Sequence, residues 1–227
     1  MPLGTPPDRM TLLGFPGRPL AGARLCRVYR PIDPVTGKPR GAWWFASAAS
    51  DPTAGGRYDL QAPAGAAYWA RSPTGAVLER FQSTTLIDRS DVDAHQLADV
   101  TVPDDAPTTA DLAAPAARGF GVTGGIHSLA NRPATRAWAE ALYDAHWRLL
   151  AGLIRHDPSQ TEESVALLDA AGAHPPSYGT WPVVPPSCPL GDIDGLADAL
   201  DAFGVEILPG PFDPEFVDLD DSGLLDG

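Results

Sequence analysis

Four side chains among the first 79 residues follow one another in a pattern suited to a ligand that carries phosphate groups. They are Arg30 at the end of a predicted strand, Arg57 in a glycine-rich turn, Tyr68 in a second predicted strand and Glu79 on the helix after it. A pair of arginines suits a pyrophosphate because each guanidinium can bind two oxygens. An aromatic face suits a flat cationic ring such as nicotinamide. A single carboxylate suits an oxocarbenium-like transition state at a ribose carbon.

Each of these residues also has a purely structural explanation. Arg30 can cap a sheet edge, and Glu79 can lie on a solvated helix face beside Arg80. Tyr68 and its neighbour Trp69 can belong to the core. Residue types and spacing therefore leave the ligand-binding and the structural explanation open.

The elements that would position these residues are short strands and a few helices. Alternating polar and apolar side chains predict strands, and Ser72 followed by Pro73 predicts the start of a helix. The predicted strands cover residues 24–30, 66–71, 95–102, 164–168 and 205–208, and the predicted helices cover residues 73–81, 108–118, 133–150 and 193–203. Such a mixture indicates an α+β domain. We expect one domain over residues 24–210, an irregular arm at 1–23 and a mobile acidic tail at 211–227.

The charge balance argues against a nucleic-acid-binding protein. The 227 residues include 16 Lys and Arg against 29 Asp and Glu, a formal net charge of −13, whereas nucleic-acid binding requires a basic face. No apolar run approaches the ~20 residues that span a bilayer, and the first residues do not resemble a signal peptide. Two cysteines are too few for a thiolate metal site or a disulfide framework. We therefore expect a soluble, cytoplasmic protein with no membrane contact and no direct nucleic-acid contact.

The sequence motifs of several other enzyme classes are missing. The five histidines do not fall at the helical spacing of a zinc hydrolase, so no metal site is predicted. The chain has neither a Gly-x-Ser-x-Gly elbow nor a Gly-x-x-x-x-Gly-Lys phosphate loop. The glycine-rich segment 119–125 lacks the strand and helix of a dinucleotide-binding turn, and we interpret it as a flexible loop.

Several sequence motifs together resemble the RES-domain family. The central ones are Gly56-Arg57-Tyr58-Asp59, Ala67-Tyr68-Trp69-Ala70 and Ala76-Val77-Leu78-Glu79, which are similar to the family's Gly-Arg-Phe/Trp-Asn/Asp, Tyr-Leu-Ala and Glu at similar spacing. Weaker similarities, two of them to actinobacterial members, are found in Arg27-Val28-Tyr29-Arg30, Thr135-Arg136-Ala137-Trp138-Ala139, Arg155-His156-Asp157-Pro158-Ser159 and residues 164–168. Trp69 stands where the family usually has Leu, and Arg136 where it usually has Gln.

The resemblance implies an enzyme that consumes NAD+. RES-domain proteins are toxins of bacterial toxin–antitoxin pairs that destroy NAD+ by phosphorolysis or hydrolysis of the nicotinamide–ribose bond. The implied fold is a compact α+β domain, similar to ADP-ribosyltransferases, with a split central mixed sheet and flanking helices. NAD+ is then a substrate rather than a cofactor, and inorganic phosphate is a candidate co-substrate.

The resemblance also implies roles for individual residues. The family's Arg, Glu and Ser map to Arg30 or Arg57, to Glu79 and to Ser128. The implied catalytic residues are Glu79, Arg30 and Ser128, and the implied NAD+-binding residues are Arg57, Tyr58, Tyr68 and Trp69.

Two other functions stay open at this point. The same scaffold could transfer ADP-ribose to a protein or a small molecule, or it could serve as a non-catalytic interaction protein. The sequence also leaves open whether water, phosphate or another acceptor attacks. It does not decide whether a helix-turn-helix antitoxin is the partner, or whether the chain forms a homodimer.

Overall fold

The computed structural model describes residues 3–51, 54–82, 84–174, 179–181 and 187–209. Within these ranges the strands are β1 (Gly17–Arg18), β2 (Arg24–Tyr29), β3 (Trp44–Phe45), β4 (Ala64–Ala70), β5 (Leu86–Asp88), β6 (Gln96–Thr101), β7 (Thr109–Asp111), β8 (Leu149–Leu153), β9 (Glu163–Ala170), β10 (Gly172–Ala173), β11 (Cys188–Pro189) and β12 (Glu206–Leu208). The helices are α1 (Arg9–Leu12), α2 (Pro73–Phe81), α3 (Arg89–Asp93), α4 (Gly125–Ser128), α5 (Arg132–Asp144) and α6 (Leu196–Asp201), with 3₁₀ turns at Pro115–Phe120 and Leu190–Asp192.

Eight of these strands form one mixed sheet in the order β1-β7-β8-β9-β4-β2-β6-β11. The pair β7–β8 is parallel, and the other neighbours in this sheet are antiparallel. Two small sheets, β3 with β10 and β5 with β12, lie outside it. The expected α+β class, with a large mixed sheet and flanking helices, is confirmed.

The large sheet is split between β2 and β4. Strand β2 is paired with β6 along its whole length, and β4 is paired with β9 along its whole length. By contrast, β2 and β4 are paired with each other only at Cys26 and Ala70. Beyond that pair the two strands diverge, so a cleft opens between Arg27 on one side and Tyr68 on the other.

Helix α2 packs over the junction between the two halves of the sheet. It starts where the sequence predicts, because the Ser72 hydroxyl accepts a hydrogen bond from the Gly75 amide at 2.8 Å and Pro73 takes the first position. Its buried residues 76–78 lie in one apolar cluster with Cys26 of β2 and Ala70 of β4. This packing leaves Glu79 at the rim of the cleft, with its side chain 17% exposed.

The segment 108–118, predicted to be a helix, instead contains β7 and a 3₁₀ turn. Thr109 and Ala110 are completely buried, and Ala110 pairs with Leu150 of β8. A β-branched residue favours such a buried strand position. The tertiary pairing therefore overrides the local helical pattern.

The predicted helix 133–150 is shorter than expected. Asn131 caps it by accepting from the Ala134 amide at 3.3 Å, and the helix ends at Asp144. His146 then takes a left-handed conformation with φ of 70°, which turns the chain into β8. The apolar residues at 149 and 150 belong to that strand rather than to the helix.

The N-terminal arm is not irregular throughout. It contains α1 and β1, and Leu12 and Phe15 lie in the apolar cluster that also holds Trp138. The Trp138 indole donates to the Gly4 carbonyl at 2.8 Å, and the Trp147 indole donates to the Leu12 carbonyl at 2.9 Å. The arm is thereby attached to α5 and to the segment between α5 and β8. The predicted tail 211–227 lies outside the described residues.

In the C-terminal region, the predicted elements are shorter than expected. The predicted loop 172–191 lies partly outside the described residues, and its described part includes β10 and β11. The predicted helix 193–203 is confirmed over Leu196–Asp201, with Leu196 and Leu200 buried in the same cluster as α2. Among the described residues, no helix is long and apolar enough to cross a bilayer.

We predict that Leu200→Ala lowers the free energy of unfolding by ~2–5 kcal/mol, because it removes a side chain that is 1% exposed and leaves a cavity beside α2. Urea denaturation measures this change. Leu86, which is 53% exposed, provides the control, since Leu86→Ala should cost much less. Equal losses in the two variants would contradict the packing of α6 against α2.

Candidate active site

The cleft between β2 and β4 encloses a cavity of about 280 Å³. Besides these strands, its walls come from α2, the glycine turn at 55–59 and the loop between β8 and β9. The charged lining residues are the arginines Arg27, Arg57, Arg80, Arg132 and Arg155 and the carboxylates Asp59 and Glu79. The pocket is therefore cationic although the whole chain carries a net charge of −13, and it favours an anionic ligand.

Glu79 and Arg57 form an ion pair in the wall of this pocket. The Arg57 Nη2 atom donates to Glu79 Oε1 at 3.1 Å, and the side chain of Arg57 is 5% exposed. The same guanidinium also donates to the carbonyls of His127 at 2.5 Å and Leu153 at 3.3 Å. Arg57 thus has its hydrogen bonds directed into the protein, and it fixes the orientation of the Glu79 carboxylate.

Helix α5 holds the turn that carries Arg57. The Thr135 hydroxyl donates to the Arg57 carbonyl at 2.7 Å. Arg136 donates to the carbonyls of Gly56, at 3.2 Å, and Ala54. An arginine at 136 therefore fastens the turn directly to the helix.

Tyr68 and Asp59 complete this turn from the side of β4. The Tyr68 hydroxyl donates to Asp59 Oδ1 at 2.8 Å and accepts from the Tyr58 amide at 2.8 Å. The other Asp59 oxygen accepts from the Gly56 amide at 2.6 Å. Burial raises the pKa of Tyr68 well above its usual value, and the charge of Asp59 adds to this effect. The phenol therefore stays protonated, and its half-buried ring forms part of the pocket wall.

The other two aromatic residues predicted to bind NAD+ are more deeply buried. Trp69 contributes to the pocket wall, but it is 1% exposed and its ring packs on Trp43 with a centroid distance of 4.8 Å. Tyr58 is also 1% exposed and does not line the pocket; its hydroxyl faces the Ile126 carbonyl at 3.4 Å. Neither ring offers a free face for stacking in this conformation.

Two of the predicted catalytic residues do not line the pocket. Arg30 forms an ion pair with Asp91 at 2.7 Å on the side of β6 and α3. Ser128 is exposed at the end of α4, and its hydroxyl donates to the Gly124 carbonyl at 3.2 Å. From the predicted set, Arg57, Glu79, Tyr68 and Trp69 line the pocket, whereas Arg30, Tyr58 and Ser128 do not. Tyr58 nevertheless lies beside the site, since the Arg57 guanidinium is 5.3 Å from the centre of its ring.

Four pocket arginines, Arg27, Arg80, Arg132 and Arg155, were not among the predicted site residues. Arg27 lies on the split edge of β2, where it donates to the carbonyls of Ala42 at 2.5 Å and Trp44 at 2.8 Å. Arg80 follows Glu79 on α2, and Arg155 lies in the loop after β8. The sequence contained a signal for Arg27 and Arg155, since both lie in segments that resemble the family.

The loop that carries Arg155 and His156 is organised by Asp157. This side chain, in a residue only 1% exposed, accepts from the amides of Ser159, Thr161 and Glu162 at 2.6–2.8 Å. The loop joins β8 to β9 and directs Arg155 and His156 to the pocket. Partial burial, followed by the charge of Arg155, lowers the pKa of His156 to about 4. His156 is therefore neutral at pH 7, and the positive charge of the pocket comes from the arginines alone.

His127, next to the predicted Ser128, contacts Arg57 through its backbone carbonyl. Its ring atom Nδ1 accepts from the Leu153 amide at 3.2 Å, and its carbonyl accepts from Arg57. Burial, followed by the charge of Arg57, lowers the pKa of His127 to about 4. The neutral ring thus ties α4 to the end of β8.

Comparison with known proteins gives one family match. A family model described as the RES domain matches residues 27–184, a span that includes every residue lining the pocket. Among solved structures, a chain of the crystal structure of the M. tuberculosis MbcT–MbcA toxin–antitoxin complex is 15% identical, with a match covering 70% of this chain and 79% of that chain and a TM-score of 0.48. No curated protein matches the sequence.

We predict that His127→Asn makes stability less dependent on pH. As pH falls from about 6.5 to about 4, the unfolded chain binds a proton at His127 before the folded chain does, so the folded state loses up to about 3 kcal/mol. Asn keeps an acceptor near the Nδ1 position but does not titrate. Urea denaturation between pH 7 and pH 4 measures the slope.

The control for this prediction is His146→Asn. His146 is exposed and has a left-handed backbone, which Asn accepts readily. This variant should keep the acid-dependent loss of the unchanged chain. An equally steep loss in the His127→Asn variant would contradict a buried, neutral His127.

Proposed function

Because the chain belongs to the RES-domain family, we propose that it is a RES-type toxin that consumes NAD+ by cleaving the nicotinamide–ribose bond. The observation that supports this function best is the Glu79 carboxylate, which a buried arginine holds at the wall of an arginine-rich pocket. A carboxylate stabilises positive charge that develops at a ribose carbon. Arginines bind the negatively charged diphosphate of the same substrate.

The proposed reaction requires little proton transfer to the leaving group. The bond between the ribose carbon and the nicotinamide nitrogen breaks, and its electron pair goes to the ring, which leaves as a neutral molecule. The ribose carbon becomes oxocarbenium-like, and the Glu79 carboxylate stabilises this charge. When water attacks that carbon, Glu79 can accept the proton. When inorganic phosphate attacks, a phosphate oxygen forms the new bond instead.

The contacts of the pocket arginines favour two different roles, one in orienting Glu79 and one in binding phosphate. Arg57 and Arg27 donate to protein groups, so we assign Arg57 the role of orienting Glu79 rather than that of gripping phosphate. For Arg155, no hydrogen bond or ion pair is found among the described residues. Arg155, together with Arg80 on α2, is our candidate for binding the phosphates. Tyr68 is the candidate for contact with the nicotinamide ring.

The proposal includes a protein partner. RES-domain toxins are paired with antitoxins, and a chain that destroys NAD+ needs an inhibitor in the cell that makes it. We therefore propose that an antitoxin is the partner of this chain. Family membership supports this partner, and inhibition of NAD+ cleavage by the protein encoded beside this chain would identify it.

We predict that Glu79→Gln reduces the release of nicotinamide from NAD+ by ~10²–10³-fold, the usual cost of one electrostatic contact to the transition state. Gln keeps the size of the side chain and an acceptor for Arg57, so the fold should persist. The measurement is nicotinamide release by the purified chain, with a thermal melt of both proteins. The products formed with and without inorganic phosphate identify the attacking group.

Glu140 provides the matched control. It is a partly buried glutamate on α5 outside the pocket, where its carboxylate accepts from the Gln61 amide. Glu140→Gln should cleave NAD+ at the rate of the unchanged chain. Full activity of the Glu79→Gln variant would refute the assigned role, and ADP-ribose attached to an acceptor would identify a transferase.

A further inference from the structure

Arg80 differs from Arg57 and Arg27 in how its guanidinium is bound. It lies in the last turn of α2, directly after Glu79, and it lines the pocket. Its Nε atom donates to His95 Nε2 at 2.9 Å. Among the described residues, no carboxylate forms an ion pair with Arg80, and its two Nη groups donate no hydrogen bond. One end of the guanidinium is thus anchored, and the other end remains available.

His95 can accept this hydrogen bond because its ring is held in one protonation state. The residue is 1% exposed, and its Nδ1 atom lies 2.5 Å from the Asp91 carbonyl. A carbonyl only accepts, so Nδ1 must carry the proton and Nε2 must be the acceptor. Burial also lowers the pKa of His95, which keeps the ring neutral. The edge-on contact with Phe81, at a centroid distance of 5.1 Å, fixes the ring plane.

The surroundings of Arg80 favour an anion at its free end. Although Arg80 is an exposed residue, partial burial of its charge lowers its pKa, and the nearby charges of Arg30 and Arg40 lower it further, against the opposing effect of Asp91. Arg30 and Arg40 are themselves paired with Asp91 and Asp33. An anionic ligand would relieve the remaining repulsion among the three arginines.

We propose that His95 is a positioning residue, which holds the Nε end of Arg80 so that the Nη groups face the pocket and bind a phosphate-type group of the substrate. The substrate class rests on the proposed function, but the positioning rests on the contacts of His95 and Arg80. Two hydrogen bonds in series, from His95 to the Asp91 carbonyl and from Arg80 to His95, engage the Nε donor of Arg80 within the protein. The two Nη groups then form a fork whose direction is set before the ligand arrives.

Two amide variants separate positioning from a merely structural role. The side-chain amide of His95→Gln reaches the place of Nε2, so its oxygen can accept from Arg80. The amide of His95→Asn reaches only the place of Nδ1, so it can satisfy the Asp91 carbonyl but not Arg80. Both variants place a neutral amide at the same buried position, and a thermal melt checks the fold of each.

The probe is inorganic pyrophosphate, titrated calorimetrically into the full chain. We expect His95→Asn to weaken binding by ~10-fold and His95→Gln to stay within about threefold of the unchanged chain, because a hydrogen bond to a charged group is at stake. In an Arg80→Ala background, the His95→Asn and His95→Gln variants should bind pyrophosphate with equal affinity. If neither single variant folds, a chain with Arg80→Ala alone must still lose binding.

Three results would overturn the proposal: equal binding by the Asn and Gln variants, a difference that persists in the Arg80→Ala background, and no binding of pyrophosphate by the unchanged chain. Nicotinamide release, measured in parallel, separates this proposal from the proposed function. If the unchanged chain binds pyrophosphate in the expected pattern but cleaves no NAD+, the positioning role stands and the proposed function fails.

Discussion

The buried charge of Arg57 is the constraint on which the rest of the site depends. A guanidinium that is 5% exposed must be paired and hydrogen-bonded, since an unpaired buried charge costs several kcal/mol. Its three partners come from α2, from α4 and from the end of β8. These elements must therefore converge on the glycine turn. The carboxylate among the partners, Glu79, is fixed at the pocket wall as a result.

The split of the sheet between β2 and β4 forms the cavity that the Arg57–Glu79 ion pair lines. If β2 and β4 were paired along their whole length, the backbone would close the region between Arg27 and Tyr68. Because they are paired only at Cys26 and Ala70, one cavity forms there, and arginines from β2, the glycine turn, α2, α5 and the loop after β8 surround it. A chain of net charge −13 thereby presents a cationic pocket. The overall charge argues against nucleic acid, while the local charge favours a small anionic substrate.

The sequence predicted those parts of the fold that depend on local chemistry. Ser72 and Pro73 start α2, and the alternation at 24–30 marks β2, because capping and periodicity are local properties. The prediction of a helix over residues 108–118 was wrong because the strand that forms there, β7, pairs with β8, which lies forty residues further along the chain. Glu79 and Arg57 were found through motifs. Arg80 was missed as a ligand-binding candidate, because the contact that orients it comes from His95, fifteen residues further on.

The central claim is that NAD+ binds in the cleft between β2 and β4 with its ribose against Glu79. A crystal structure of the Glu79→Gln chain with NAD+ tests it most directly. The account predicts the nicotinamide riboside beside residue 79 and the diphosphate within hydrogen-bond distance of Arg80 or Arg155. NAD+ bound instead in the groove beside Gly124 and Gly125, with the cleft empty, would contradict it.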